Sequence, residues 1–204
     1  MSDNATKRRL PAEWEPQRAV LMAWPHSDTD WAPMLADTVR CFAGIIREIS
    51  RETPVIVAGP SGLCRGSFDA WGFDPSAVTF VDCTTNDTWA RDFGPITVET
   101  PEGYVAIDFK FNGWGLKFAA DRDNLINSVL DRRGLLPGRR ENRLNFVLEG
   151  GSIESDGQGT ILTTSECLLS PNRNGASSKD EIEAYLKDAF GADRVLWLDH
   201  GALA

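Results

Sequence analysis

Short apolar runs bounded by proline, glycine or polar residues recur along the first part of the chain. One run extends from residue 19 to residue 23 and lies between Pro16 and Pro25, and two others cover residues 55–58 and 78–81. Runs of this length between turn-forming residues are typical of buried β-strands. The pattern therefore predicts three strands in this part of the sequence.

Three longer segments show the pattern of amphipathic helices. Apolar residues recur at intervals of three and four over residues 31–51, which is the spacing of one face of a helix. Residues 121–133 open with aspartates and are followed by Gly134, as the helix dipole and capping favour. A third helix is predicted over residues 179–190, with Gly191 as its C-cap.

Two β-hairpins and two further strands complete the predicted elements. The hairpins cover residues 96–107 and 152–163, and each has glycine and polar residues at its turn. The further strands cover residues 146–148 and 195–198. Helices that alternate with strands and hairpins predict an α/β fold.

The predicted elements form a rough repeat of helix, strand and hairpin. Asp92 and Glu149 lie in equivalent polar loops, each at the entry to a hairpin. Self-similarity on this scale indicates a closed repeat architecture.

Composition and charge narrow the classes of function. The chain has 204 residues and a formal net charge of −9, which argues against a nucleic-acid partner because such a partner requires a basic surface. The charge suits a small cationic substrate, although solubility alone also explains an acidic protein. Residues 1–10 are polar and basic and lack a signal-peptide core, and no apolar run is long enough to cross a membrane. We therefore expect a cytoplasmic protein with a flexible tail at residues 1–10 and no membrane partner.

The most informative stretch is residues 86–95, which contains Trp89 and Asp92 and ends in Gly94-Pro95. A guanidinium group needs a carboxylate that accepts two of its N–H groups and an aromatic face to lie against. Asp92 and Trp89 could supply these two features. The alternatives are a carboxylate that only organises the turn and a tryptophan that only packs in the core.

Glu149 and Trp114 are the other candidate site residues. Glu149 ends a predicted strand and precedes two glycines, which let the backbone approach a ligand closely. Its alternative is a solvent-exposed glutamate at the end of a strand. Trp114 is presented by a turn with glycines on both sides, where it forms either a pocket wall or a purely structural contact.

Metal, phosphate and thiol chemistry find little support in the sequence. The two histidines, His26 and His200, have no helical His-x-x-x-His spacing, so no metal site is predicted. Residues 59–67 are rich in glycine and serine but lack the lysine of a phosphate-binding loop. Cys167 lies among apolar residues without a basic neighbour, which favours a buried, inert thiol.

Four ordered motifs resemble those of the agmatine deiminases, which are related to bacterial peptidylarginine deiminases. They are Asn-Asp-Thr-Trp-Ala-Arg-Asp-x-Gly-Pro at 86–95, Phe-Asn-x-Trp-Gly-x-Lys at 111–117, Glu-Gly-Gly-Ser-Ile-Glu at 149–154, and Asp-Gly-x-Gly-Thr with Thr-Thr-x-Glu-Cys-Leu-Leu at 156–169. The resemblance covers nearly the whole chain.

The resemblance implies a pentein fold, which is a five-bladed α/β propeller with its active site on the central axis. It implies hydrolysis of agmatine to N-carbamoylputrescine and ammonia through a covalent amidino-cysteine, without metal or cofactor, as a step of putrescine synthesis from arginine. Asp92 and Glu149 would hold the substrate guanidinium, and Trp89 would line the pocket.

The sequence departs from the family pattern at its end. The family's histidine motif, Asp-Gly-His-x-Asp, and its glycine-rich cysteine segment are absent from these 204 residues. On the family's plan the chain is an N-terminal portion with about three of five blades, inactive alone and with exposed strand edges that favour a homo-oligomer. Two alternatives stay open: an arginine or peptidylarginine deiminase, and a guanidinium-binding module without turnover.

Overall fold

The computed structural model describes residues 8–60 and 70–200, and they fall into two compact units. Among the described residues, the first unit combines 8–15, 91–119 and 135–200, and the second combines 16–60, 70–90 and 120–134. None of the helices in the described part of the chain has the length and apolarity that a membrane crossing requires.

The described part of the second unit contains a parallel three-stranded sheet together with helices. Its elements are β1 (Val20–Ala23), α1 (Leu35–Ile49), β2 (Val55–Gly59), β3 (Val78–Asp82) and α4 (Ile126–Arg132), with 3-10 turns at Ala32–Met34 and Asp123–Leu125. The sheet has the order β1-β2-β3. The three predicted strands and both predicted helices of this unit are confirmed, since each overlaps its predicted segment.

The core of this unit forms where α1 covers the sheet. Ala43 and Ile46 of α1 pack with Val55 and Val57 of β2, and all four are almost fully buried. Apolar residues at helical spacing on α1 therefore meet the apolar run of the central strand, which is the arrangement that their periodicity predicts.

The first unit contains two sheets of identical topology. Its elements are α2 (Ala90–Phe93, beginning one residue before the unit), β4 (Ile96–Thr100), β5 (Gly103–Lys110), α3 (Gly113–Leu116), β6 (Arg139–Val147), β7 (Ile153–Ser155), β8 (Thr160–Thr164), α5 (Ser165–Leu168), α6 (Pro171–Asn174), α7 (Lys179–Phe190) and β9 (Arg194–Leu198), with a 3-10 turn at Gly150–Ser152. In each sheet an antiparallel hairpin is extended by a parallel third strand, in the orders β4-β5-β6 and β7-β8-β9.

Both predicted hairpins and the helix over residues 179–190 are confirmed. The helix begins with a Ser178–Glu181 capping box and ends at Gly191, whose φ of 67° is left-handed. A side chain at Gly191 would also collide with the carbonyl oxygen of Arg8. The fold is α/β, as predicted, and the repeated sheet topology agrees with the predicted repeat.

Two predicted segments have different bounds in the structure: the flexible tail at residues 1–10 and the strand at residues 146–148. Arg9 exchanges two backbone hydrogen bonds with Glu99, at 3.0 and 2.9 Å, so the predicted flexible tail is docked at its last residues, and residues 1–7 lie outside the described range. β6 begins at Arg139, seven positions before the predicted strand at 146–148.

Candidate guanidinium-binding site

Asp92 lies in the single helical turn of α2, which Gly94 and Pro95 end. The neighbouring Phe93 is buried, with its ring centroid 6.1 Å from that of Phe111. Phe93 thus anchors the turn in the core, while Asp92 is half-buried at its surface.

Two N–H groups from distant parts of the sequence hold the Asp92 carboxylate. The indole Nε1 of Trp114 donates to Oδ2 at 3.0 Å, and the backbone N–H of Gly151 donates to Oδ1 at 3.1 Å. An ionised carboxylate has about four acceptor positions, so this arrangement leaves room for about two further donors. Asp92 therefore does more than organise its own turn.

The glycine pair after Glu149 makes this contact possible. A side chain at Gly150 would collide with the carbonyl oxygen of Arg91, and one at Gly151 would collide with Oδ1 of Asp92. The two glycines bring the 149–151 turn against α2. The predicted close approach of this backbone to a ligand stays a prediction.

Trp114 contacts Asp92 from a strained backbone conformation. Its φ of 57° and ψ of 48° are left-handed, which costs roughly 1 kcal/mol for a residue with a side chain. The ring meets Phe111 and Phe118 edge to face, with centroids 5.0 and 5.6 Å away. The structure shows a polar contact of Trp114 with Asp92, and the predicted role of Trp114 as a pocket wall stays a prediction.

The α3 turn that carries Trp114 is held by Asn112. The Asn112 side chain accepts from the backbone N–H of Gly115 at 2.9 Å and donates to the carbonyl oxygen of Asn172 at 2.8 Å. Asn112 is buried, so these hydrogen bonds also satisfy a polar side chain in the interior. They join the α3 turn to α6.

Glu149 is buried, with only 2% of the residue exposed. It follows the end of β6, and Nε of Arg173 donates to both of its carboxylate oxygens at 2.9 and 3.0 Å. The alternative of a solvent-exposed glutamate at a strand end is therefore wrong.

Sequence reasoning missed the role of Arg173. Arg173 lies in α6 between two asparagines, and the Asn174 side chain bonds the backbone of Val147 at 2.8 and 2.9 Å. No chemistry was assigned to Arg173. The position of Arg173 between two asparagines was a possible signal in the sequence. The neighbouring residues, however, give no indication that Arg173 pairs with Glu149.

Trp89 belongs to the other compact unit. It is 43% exposed, and its ring lies 6.3 Å from that of Trp31 with a tilt of 32°. Trp31 donates its indole N–H to Thr88 at 2.8 Å. Trp89 therefore presents an accessible aromatic face, whereas its predicted place beside the substrate stays a prediction.

Within residues 8–60 and 70–200, no hydrogen bond joins a histidine to a cysteine. His26 is buried and bonds Thr85 at 2.9 Å, and Nδ1 of His200 lies 3.9 Å from Glu166. Cys167 is half-buried rather than buried. Burial of Cys83 raises the pKa of its thiol to about 11, which keeps this thiol protonated and unreactive near neutral pH.

The same described residues contain no group of three or more histidine, cysteine, aspartate or glutamate side chains that could hold a metal ion.

Comparison with known proteins identifies the family. The model of the Porphyromonas-type peptidyl-arginine deiminase family matches residues 9–204. The chain belongs to this family. The predicted resemblance is thereby confirmed, and relatives of this deiminase family can be compared with the chain directly.

Among those relatives, the agmatine deiminase of Pseudomonas aeruginosa (strain UCBPP-PA14) is 37% identical over 202 residues, which are 95% of this chain and 53% of that protein. A solved structure of a C. jejuni agmatine deiminase variant with substrate bound is 34% identical with a TM-score of 0.87, and covers 100% of this chain and 59% of that one. The agmatine deiminase of Enterococcus faecalis is also 34% identical, with a TM-score of 0.82, and covers 98% of this chain and 56% of its own. The chain spans about half the length of the curated relatives that it matches.

Proposed function

We propose that this chain binds agmatine by its guanidinium group and takes part in its hydrolysis to N-carbamoylputrescine and ammonia, as a step of putrescine synthesis from arginine. The observation that carries the proposal is the Asp92 carboxylate, which Trp114 and Gly151 hold in place at 3.0 and 3.1 Å. It occurs in a chain 37% identical to an agmatine deiminase.

In this proposal Asp92 and Glu149 bind the guanidinium. The free acceptor positions of Asp92 take two N–H groups of the substrate, which fixes its plane and keeps it protonated. Glu149 supplies a second carboxylate, and Trp89 supplies the aromatic face. Trp114 acts mainly by orienting Asp92.

The covalent step needs groups that the matched motifs do not include. A guanidinium carbon is poorly electrophilic because its charge is delocalised, so attack requires a thiolate and departure of ammonia requires a positioned acid. The family resemblance assigns these roles to a cysteine and a histidine in motifs that are absent from this sequence. We therefore expect the 204-residue chain alone to bind agmatine without releasing ammonia.

The proposal extends to architecture and cellular setting. We propose that the three sheets are blades of a pentein-type propeller, about three of five, that strand edges left unpaired favour a homo-oligomer, and that the protein acts in the cytoplasm. The two sheets of identical topology in the first unit support the repeat.

Calorimetry with three ligands tests the function. Agmatine should bind to the chain, putrescine should not because it lacks the guanidinium, and an ammonia assay should detect no release from agmatine. Tighter binding of arginine or an arginyl peptide than of agmatine would favour the alternative deiminase that the family description suggests. No binding of any guanidine would refute the proposal.

A further inference from the structure

Glu149 and Arg173 form an ion pair that is almost completely buried from solvent. Their side chains are 2% and 9% exposed, and the pair is joined by one N–H shared between two oxygens at 2.9 and 3.0 Å. A carboxylate in the protein interior requires a compensating partner. The Arg173 guanidinium supplies that partner to Glu149.

The backbone around Arg173 is anchored on both sides. The carbonyl oxygen of Asn172 accepts a hydrogen bond from Asn112 at 2.8 Å, and the Asn174 side chain bonds both the N–H and the carbonyl of Val147. Val147 ends β6 two residues before Glu149. The cation is thus attached to the same strand end as the carboxylate that it binds.

The guanidinium of Arg173 also packs against the turn that carries Trp114. A carbon added at Gly115 would lie 3.5 Å from Nη1 of Arg173, which is an ordinary contact distance, so the guanidinium lies directly beside α3. The α3 turn and α6 thereby hold both carboxylates, since Trp114 bonds Asp92 and Arg173 bonds Glu149.

We propose that Arg173 is a positioning residue for guanidinium binding: it pairs with the buried Glu149 carboxylate and orients it, and it contributes to agmatine affinity only through Glu149. The inference rests on the proposed function. Glu149 can accept hydrogen bonds from Arg173 and from the substrate at the same time, because the single N–H of Arg173 leaves acceptor positions on Glu149 for a substrate guanidinium. The anchored backbone means that Arg173 stays in place when the substrate binds.

Four proteins test this role: the wild type, Arg173→Met, Glu149→Met and the double variant. Agmatine affinity is measured by calorimetry, and unfolding is measured with urea. Arg173→Met should weaken agmatine binding at least tenfold and lower the urea midpoint, because it leaves a buried carboxylate unpaired. The double variant should recover the urea midpoint, since two apolar side chains replace the pair, but it should not recover agmatine affinity.

A purely structural ion pair gives a different pattern. If the double variant recovers both the urea midpoint and agmatine affinity, Glu149 does not act on the substrate and the inference is wrong. Equal affinity of Arg173→Met and wild type would also overturn it. If Arg173→Met does not fold, Arg173→Lys replaces it, because lysine keeps the positive charge without the guanidinium geometry. This variant should bind agmatine within tenfold of the wild type. Complete loss of binding in a folded Arg173→Lys protein would contradict the inference.

A matched control exists in the same unit. Arg140 donates to the buried Asp108 at 2.8 and 2.6 Å, so Arg140→Met also breaks an interior arginine–carboxylate pair. It should lower the urea midpoint and leave agmatine affinity unchanged. Failure of wild-type chain to bind agmatine overturns the proposed function, whereas wild-type binding that is indifferent to Arg173 overturns only this inference.

Discussion

Replacement of Trp114 by phenylalanine removes the indole N–H that donates to Asp92 at 3.0 Å and keeps an aromatic ring in the same turn. Hydrogen bonds to charged groups contribute about 1.5–3 kcal/mol. Asp92 retains its second donor, Gly151, so we take the lower figure of about 1.5 kcal/mol, which corresponds to roughly a tenfold increase in the Kd for agmatine. The free energy of unfolding should also fall, because the lost hydrogen bond lies within the folded protein. The edge-to-face contacts with Phe111 and Phe118 require only a ring and are kept.

The assay is isothermal calorimetry with agmatine at constant pH and salt, with circular dichroism to confirm the fold. Trp197→Phe is the matched control, since Trp197 also donates its indole N–H to a carboxylate, that of Glu183, at 2.8 Å. Wild-type affinity in Trp114→Phe would refute the idea that Trp114 orients Asp92. An equal loss of affinity in Trp197→Phe would show that the effect is not local.

Two further predictions concern the Gly151 contact and a buried carboxyl group. Gly151→Ala should weaken agmatine binding at least tenfold, because the new methyl group displaces the Asp92 carboxylate. The control Gly44→Ala should leave agmatine affinity unchanged, since no atom lies within 4 Å of the added carbon. Equal agmatine affinities of both variants would contradict the role of Gly151. Burial raises the pKa of Asp123 to about 6 from its ordinary value of 3.8, so the folded state binds this proton more tightly than the unfolded state. The contribution of Asp123 to the free energy of unfolding therefore falls as pH rises from about 4 to 6, by at most about 3 kcal/mol. Urea unfolding at both ends of that range should show Asp123→Asn gaining stability relative to wild type as pH rises, and a constant difference between the two proteins would contradict this pKa.

Local sequence pattern was sufficient for the strands and for the three longer helices of the described residues, whereas the single-turn helices α2, α3, α5 and α6 were not predicted. The helix over residues 179–190 carries its own signals, a capping serine and a terminal glycine, and its bounds agree with the prediction. Hairpins were also predictable, because glycine and polar residues at the turns are sufficient to mark them. Such features depend on neighbours in the sequence.

The first part of β6 could not be predicted in this way. Residues 139–143 are mostly charged, and their partners come from other elements: Arg140 binds the buried Asp108, and Arg8 binds Glu141 at 2.7 Å. Those ion pairs let a charged segment lie in a sheet. They join residues more than 30 positions apart, so no local pattern reveals them.

In the candidate site too, features set by neighbouring residues were predictable, and contacts between distant residues were not. The motif residues Asp92 and Glu149 were identifiable from their turns and glycines, whereas the contact of Gly151 with Asp92 was not predicted, because it joins residues 59 positions apart. The pairing of Arg173 with Glu149 was not predictable, because it depends on how α6 returns to the end of β6.

The central claim is that the Asp92 carboxylate binds the guanidinium of agmatine, and calorimetry on Asp92→Asn tests it most directly. Loss of the charge weakens two charge-assisted hydrogen bonds, so the account predicts at least about a hundredfold rise in Kd, or roughly 3 kcal/mol. Asp180→Asn, at an exposed position in the first turn of α7, should bind like wild type. Wild-type agmatine affinity in a folded Asp92→Asn protein would contradict the account.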